Sequence, residues 1–242
     1  MTTLIKIIIA SLLSLVLFSC NFDINLNSGV RGNGNVTTQE RTISKSFTTI
    51  KATEGLDVYL TQGNSESITV EADENLQDLI ITEVIDGVLK IHTKQNIGRS
   101  TSKKVMVNFK DVSSIISTSG SDVYTTNTIT TNRLDVKATS GSNMKLEVKT
   151  SVLNCRSTSG SDIKVSGKVE TLTAEATSGS DIKAGNLIAQ SSEVKATSGA
   201  DITVNTSKKL IAKATSGGDI KYYGNPDTVE KSDNVSGSIR KK

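Results

Sequence analysis

The sequence predicts an all-β fold, a solenoid of short parallel strands stacked in rungs of about 19–20 residues. Three observations predict it. The tripeptide Thr-Ser-Gly returns six times, at Thr118–Gly120, Thr139–Gly141, Thr158–Gly160, Thr177–Gly179, Thr197–Gly199 and Thr215–Gly217, with its glycines 21, 19, 19, 20 and 18 residues apart. A unit that short cannot enclose a core of its own, so each must bury its apolar side against the next. Apolar residues also alternate with period two around each glycine: Leu134, Val136 and Ala138 before Gly141, then Met144, Leu146 and Val148 after it. That parity places one side of each strand inside. Finally, the residue three before the glycine is always small (Ser117, Ala138, Ser157, Ala176, Ala196, Ala214), as a narrowing corner requires, and glycine supplies a left-handed or sharply bent backbone there.

Residues 1–19 read as a lipoprotein signal peptide. Lys6 gives the positive start, Ile7 to Phe18 is apolar but too short for a comfortable membrane span, and Leu17-Phe18-Ser19-Cys20 resembles a bacterial lipoprotein cleavage box. Cleavage before Cys20 and lipid on its sulfur would anchor the chain to a membrane without spanning it. Asn21 differs from the Asp that retains some lipoproteins at the inner membrane, so the outer membrane is the expected location. Cys155 is then the only other cysteine, no intramolecular disulfide is available, and its parity with Leu153 makes it a small buried hydrophobe rather than a nucleophile.

Residues 20–40, with Gly32-Asn33-Gly34-Asn35, read as a lipid-anchored flexible tether, and residues 41–242 as one β-helical domain. Within it, 41–112 are irregular first rungs and a cap, 113–224 the regular repeats and 225–242 a C-terminal cap. Ile50, Ala52, Val58 and Leu60 flank Glu54-Gly55 with the spacing of a degenerate rung. Asp73 to Leu79 suits a helical turn, and Ile80–Ile85, Asp86-Gly87, Val88–Ile91 a hairpin, because Asp-Gly adopts the positive φ of a tight turn. His92 lies at solvent-facing parity and takes no role. At the far end, the Tyr222–Pro226 breaker and the degraded copy 234–239 read as a cap over unpaired backbone groups.

Net charge is +3 with acids and bases interleaved, and aromatics are 3% with no Trp. No basic stripe or stacking platform for nucleic acid follows, so nucleic acid is not an expected partner. The suggestive constellation is acidic. Two residues after each repeat glycine stands Asp122, Asn143, Asp162, Asp181, Asp201 or Asp219, which stacking would form into a column. Carboxylates ~4.8 Å apart repel by about 0.9 kcal/mol in water and roughly 3.5 kcal/mol at an effective dielectric of 20, so the column needs neutralising. Lys145, Lys164, Lys183 and Lys221 stand two residues on and favour a structural charge and turn-capping ladder. Calcium and a bound ligand are the alternatives, and Asp122 and Asp201, followed by Tyr124 and Thr203, are where a cation would be needed. The Thr column (Thr139, Thr158, Thr177, Thr197, Thr215) reads chiefly as self-satisfying hydroxyls and alternatively as a surface for sugar or protein.

Together these residues resemble the head GIN domain family of auto-transporter adhesins in Gram-negative envelopes. The resemblance rests on Cys20 with its preceding box, Arg41 to Phe47, Gly55-Leu56-Asp57-Val58-Tyr59-Leu60-Thr61-Gln62-Gly63, Ile68 to Leu76 and the Ser-Gly-Ser-Asp repeats, over roughly residues 35–240. It implies a right-handed parallel β-helix and an adhesion role, with no catalytic residues to carry over. The expected function is therefore a non-catalytic cell-envelope lipoprotein whose surface binds another envelope component, a glycan or a cell. Asp122, Asp162, Asp181, Asp201 and Asp219 are candidate ligand contacts, and no cofactor or metal is called for. The alternative is a polysaccharide lyase or hydrolase using the Asp column, with or without calcium. Few arginines in the repeats, few aromatics and no long loops to wall a cleft weigh against it. Asp227-Thr228-Val229 resembles an envelope O-glycosylation sequon, making Thr228 a candidate glycan site.

Overall fold

A computed structural model describes residues 29–43, 45–233 and 236–242. The signal peptide, Cys20 and most of the expected tether lie outside the described residues. What is described is a β-solenoid of about seven turns built from stacked parallel coils, as the repeats predict.

The regular rungs come from four long, bent strands: β11 (Asn143–Thr158), β12 (Asp162–Thr177), β13 (Asp181–Thr197) and β14 (Asp201–Thr215). Each enters at one arm, bends midway and leaves along a second arm, and the Thr-Ser-Gly corner leads to the next rung. Pairing is parallel and nearly in register: Ile163 faces Ile182, Leu172 faces Ser192 and Thr177 faces Thr197. Shifts occur between Lys164 and Ser166 and after Ala184, where rung lengths differ. Inward positions are buried along both arms, among them Met144, Leu146, Leu153, Ile163, Leu172, Ile182, Val194 and Ile202. Cys155 is buried among them, and burial pushes its thiol up to about 12.

The corners are more uniform than expected. Both the serine and the glycine are left-handed in every repeat, from Ser119 (φ 53) and Gly120 (φ 73) to Ser216 (φ 51) and Gly217 (φ 78). Two consecutive positive φ values define a type I′ turn. Glu54 (φ 63) and Gly55 (φ 72) make the same turn from a different dipeptide, as do Asp86 and Gly87 in the hairpin. Serine lacks the ease of glycine in this region, and neighbouring rungs compensate. The N–H of Gly141 donates to the carbonyl of Ser159 (3.1 Å), that of Gly160 to Ser178 (3.1 Å) and that of Gly179 to Ser198 (3.0 Å). Inside the corner, Ser142 and Ser180 Oγ donate to the carbonyls of Ser117 and Ser157 (both 2.8 Å), so the small buried residues there are hydrogen-bonded as well as compact.

Chain order and stacking order part company before residue 113. Strands β2 (Thr49–Ala52) and β3 (Asp57–Gln62) form a rung sandwiched between β8 (Ser114–Ser117) with β9 (Asp122–Thr125) on one side, and β6 (Val88–Thr93) with β7 (Lys103–Phe109) on the other. The parallel stack then ends in antiparallel pairings. β4 (Ser67–Asp73) lies against β7 and against β1 (Val36–Arg41), while β5 (Ile80–Ile85) closes the Asp86-Gly87 hairpin on β6. A 3₁₀ turn, Glu74–Leu79, crosses this end and buries Leu76. Beside it, the fully buried Asp73 accepts backbone N–H donors from Thr101 (2.8 Å), Ser102 (3.0 Å) and Gly34. Those donors, Ser102 foremost, hold its carboxyl below the usual carboxylate range. Val36–Arg41, placed partly in the tether by sequence, is therefore a strand of the folded body.

At the opposite end, residues 225–242 extend the stack. β15 (Asp219–Tyr223) and β16 (Thr228–Asp233) pair in parallel with the first and second arms of β14 and form one rung, as β9 and β10 (Ile129–Ala138) do against β11, and β17 (Ser238–Lys241) pairs with β15. The expected C-terminal cap is a further rung, because its degraded repeat keeps the strand register: Ile239 faces Ile220.

Candidate functional site

In-register stacking converts each fixed offset from the repeat glycine into a column on the outer surface. On the first arm, Asp122, Asn143, Asp162, Asp181, Asp201 and Asp219 come together as the sequence requires. The column also has members the sequence reading missed, since Asp57 faces Asp122 and Ser238 continues beyond Asp219. Asp57 follows Gly55 at the repeat offset, and that signal was available. Burial pushes the Asp57 carboxyl up, reinforced by the neighbouring Asp122 and opposed by Lys103.

The carboxylates are relieved unevenly. Lys183 Nζ lies 2.9 Å from Asp162 and 3.1 Å from Asp181, so one ammonium bridges two rungs. Asp162 first, and Asp181 after it, hold that ammonium above the usual lysine range. Arg240 reaches Asp219 at 3.5 Å, and Asn143 Nδ2 donates to Asp122 Oδ1 at 2.8 Å. Of the acids with a lysine two residues on, Asp181 pairs with its own Lys183, whereas Asp162 with Lys164 and Asp219 with Lys221 do not pair, and Asp162 and Asp219 take partners from the adjacent rung instead. At Asp122, where a cation seemed necessary, the asparagine of the next rung does the work and Tyr124 stacks on Tyr59 (centroids 5.3 Å apart). Asp201 makes no ion pair among the described residues. The column supplies at most one carboxylate per rung, none at Asn143 or Ser238, and among the described residues no three His, Cys, Asp or Glu side chains converge as metal ligands. The Thr column is half-buried. Its hydroxyls contact the serine of their own turn, as Thr158 does Ser159 (3.4 Å), and Thr215 donates across a rung to Thr197 (3.0 Å).

The second arm carries a column that sequence-wide interleaving of charge concealed. Four residues before each turn glycine stand Lys51, Ile116, Lys137, Arg156, Glu175, Lys195 and Lys213, and pairing aligns them in that order, with Lys90 beyond Lys51 and Ser232 beyond Lys213. The expectation of no basic stripe is thus corrected: interleaving along the chain becomes segregation across it. Only Arg156 has an acidic partner in this line, Glu175 at 4.0 Å. Two shallow open grooves, about 450 and about 310 Å³, run beside the column and meet at Thr173 and Glu175. His92 rests against Glu83 (3.1 Å) and Thr228 opens the exposed β16.

A family model described as "Putative auto-transporter adhesin, head GIN domain" matches residues 46–226, about three-quarters of the chain. The chain belongs to that family. Membership supports an adhesin-like role at the cell envelope or surface and suggests a non-enzymatic protein. Several crystal structures share the fold across 88% of this chain. One, titled a "putative adhesin", is from Bacteroides fragilis (23% identity, all of that chain covered, TM-score 0.81). Another, a "putative lipid binding protein", is from Parabacteroides distasonis (26% identity, 99% covered, TM-score 0.72), and a third "putative adhesin" is from Parabacteroides merdae (20%, 98%, 0.68). No curated protein sequence matches.

Proposed function

We propose that this protein is a non-catalytic, lipid-anchored envelope protein whose solenoid faces bind another envelope component, a glycan or a neighbouring cell. The observation that carries the reading is the geometry of the outer surface. Side chains stand in continuous columns over about seven turns, and the grooves beside them are shallow and open rather than enclosing. Such a surface meets an extended partner over many equivalent contacts, each weak and together strong. Enzymes of polymers concentrate chemistry in a walled cleft, whereas here the carboxylates are spread at no more than one per rung and Asp162 and Asp181 share Lys183. Lipid on Cys20 would hold this face close to the outer membrane.

The direct test is binding of the purified protein to arrayed glycans and envelope extracts, with and without calcium, with product analysis of every polysaccharide bound. Saturable binding without cleavage is the expected result. Calcium-dependent cleavage would overturn the reading and move Asp122, Asp162, Asp181, Asp201 and Asp219 from binding contacts to catalysis.

A further inference from the structure

We propose that the second arm is the binding face, and that its partner is a linear acidic polysaccharide lying along the column Lys90, Lys51, Lys137, Arg156, Lys195, Lys213. This rests on the reading of the protein as a binding surface and adds where and what it binds.

The column contains six cations and one acid in nine aligned positions. Among the described residues, neither an ion pair nor a side-chain hydrogen bond engages Lys51, Lys90, Lys137, Lys195 or Lys213. Lys137, Lys195 and Lys213 are exposed. Neighbouring rungs stand ~4.8 Å apart, so like charges accumulate along one line, and of the acids beside it Asp135 pairs with Arg133, Glu230 with Lys209 and Glu83 with His92 rather than with the column. The cations also come in pairs, Lys90 with Lys51, Lys137 with Arg156 and Lys195 with Lys213. Single rungs carrying Ile116 and Glu175 separate them, giving a repeat of three rungs, ~14 Å on that spacing.

The partner's shape follows from what flanks the line. The column on one side includes Asp135, Glu193 and Glu230, and on the other stand the Thr hydroxyls from Thr118 to Thr215. The joined grooves lie on the acidic flank, lined by Asp135, Glu175, Glu193 and Glu230 as well as by the bases. A flat anionic membrane covering both flanks would therefore meet acids and bases together, whereas a single strand of polyanion lying between the basic column and the Thr hydroxyls avoids the flanking acids. Stacking platforms for nucleobases are lacking here, because the groove-lining residues include no aromatic ring. Hydroxyls do line that path, at Thr158, Thr177, Thr197 and Thr215, and suit the hydroxyls of a sugar chain.

The test compares two sets of substitutions of equal charge in the full chain. One removes the column (Lys137→Gln, Lys195→Gln, Lys213→Gln). The other removes three lysines of the first arm that form no ion pair (Lys145→Gln, Lys164→Gln, Lys221→Gln). Each is titrated against alginate and heparin as acidic polymers, dextran as a neutral one, phosphatidylglycerol vesicles and single-stranded DNA, with unchanged circular dichroism as the folding control. Expected are saturable, salt-sensitive binding to an acidic polysaccharide, a loss of about tenfold or more in the first set, and less than about threefold in the second. Equal losses in both sets, or binding only to vesicles or only to DNA, would overturn the proposal. Saturable binding to dextran or to envelope extract that survives the first set would also overturn it while leaving the general binding reading intact. Failure to bind any polymer or extract would remove both.

Discussion

The two outer faces of this solenoid share one core and one rung period, yet they relieve charge to different degrees. On the first arm, acids and bases occupy adjacent columns: Lys183, Arg240 and Asn143 reach between rungs to Asp162, Asp219 and Asp122, Lys183 also pairs with Asp181 of its own rung, and Lys145, Lys164 and Lys221 form no ion pair among the described residues. On the second arm, Lys51, Lys137, Lys195 and Lys213 line up with no partner beside them. A face whose acids find partners on its own rungs contributes to folding. One that leaves its charge unmatched favours a partner that brings the opposite charge.

The comparison breaks most completely through what both faces share. Ile163 is fully buried in the middle of the stack. Ile163→Asp should cost more than about 4 kcal/mol in urea unfolding and erase both faces together, because an unpaired carboxylate replaces packed methyl groups. If one face retained its column behaviour in that variant, the single shared core would be wrong.

Next in size is the staple at the N-terminal end, which protects the stack on which both columns depend. Asp73→Asn should cost about 2–3 kcal/mol, since an amide NH₂ would face backbone donors that now have a carboxylate. The sign of the pH dependence follows from the depressed carboxyl. The stabilisation is full above the unfolded carboxylate range near pH ~4, and is lost as pH falls from there through the lower folded value. Thermal midpoints of the wild type should therefore fall in acid more steeply than those of Asp73→Asn.

The contrast itself is sharpened by single lysines. Lys183→Ala should destabilise by a few tenths of a kcal/mol, as exposed ion pairs do, and the loss should shrink in high salt. Lys137→Ala should be neutral or slightly stabilising under the same conditions, because it relieves repulsion from Arg156. Thermal unfolding at low and high salt reads both. Matching signs for the two variants would abolish the distinction between the faces. The smallest expected effect is at the corner common to both: Ser159→Asn should stabilise by up to about 0.5 kcal/mol, because Asn tolerates the left-handed backbone better than Ser at φ 56.

Much of this was legible in order along the chain. Glycines at 21, 19, 19, 20 and 18 residues, with alternation around them, dictate the rungs, and the offset two after the glycine dictates the Asp column. The basic column was equally periodic, four before the glycine, but a tally of net charge and interleaving averages over exactly the spacing that stacking restores. Asp57 was missed for a related reason: its turn is Glu54-Gly55, and composition disguised a conformation that proved to be the same. The end of the chain misled in the opposite direction, since a degraded repeat suggested a cap where Ile239 still holds register with Ile220.

By itself, the sequence determined the rung, the inward side chains and the small corner residues, because these depend on backbone geometry and burial repeated within about 20 residues of chain. Only the tertiary structure decided which rungs neighbour which. It placed residues 49–62 between 88–109 and 114–125, tied Asp73 to Thr101 and Ser102, and gave Lys183 to two acids while leaving Lys137 and Lys195 with none. Those outcomes depend on distances between residues far apart in the chain, and strand register sets such distances only after the rungs have stacked.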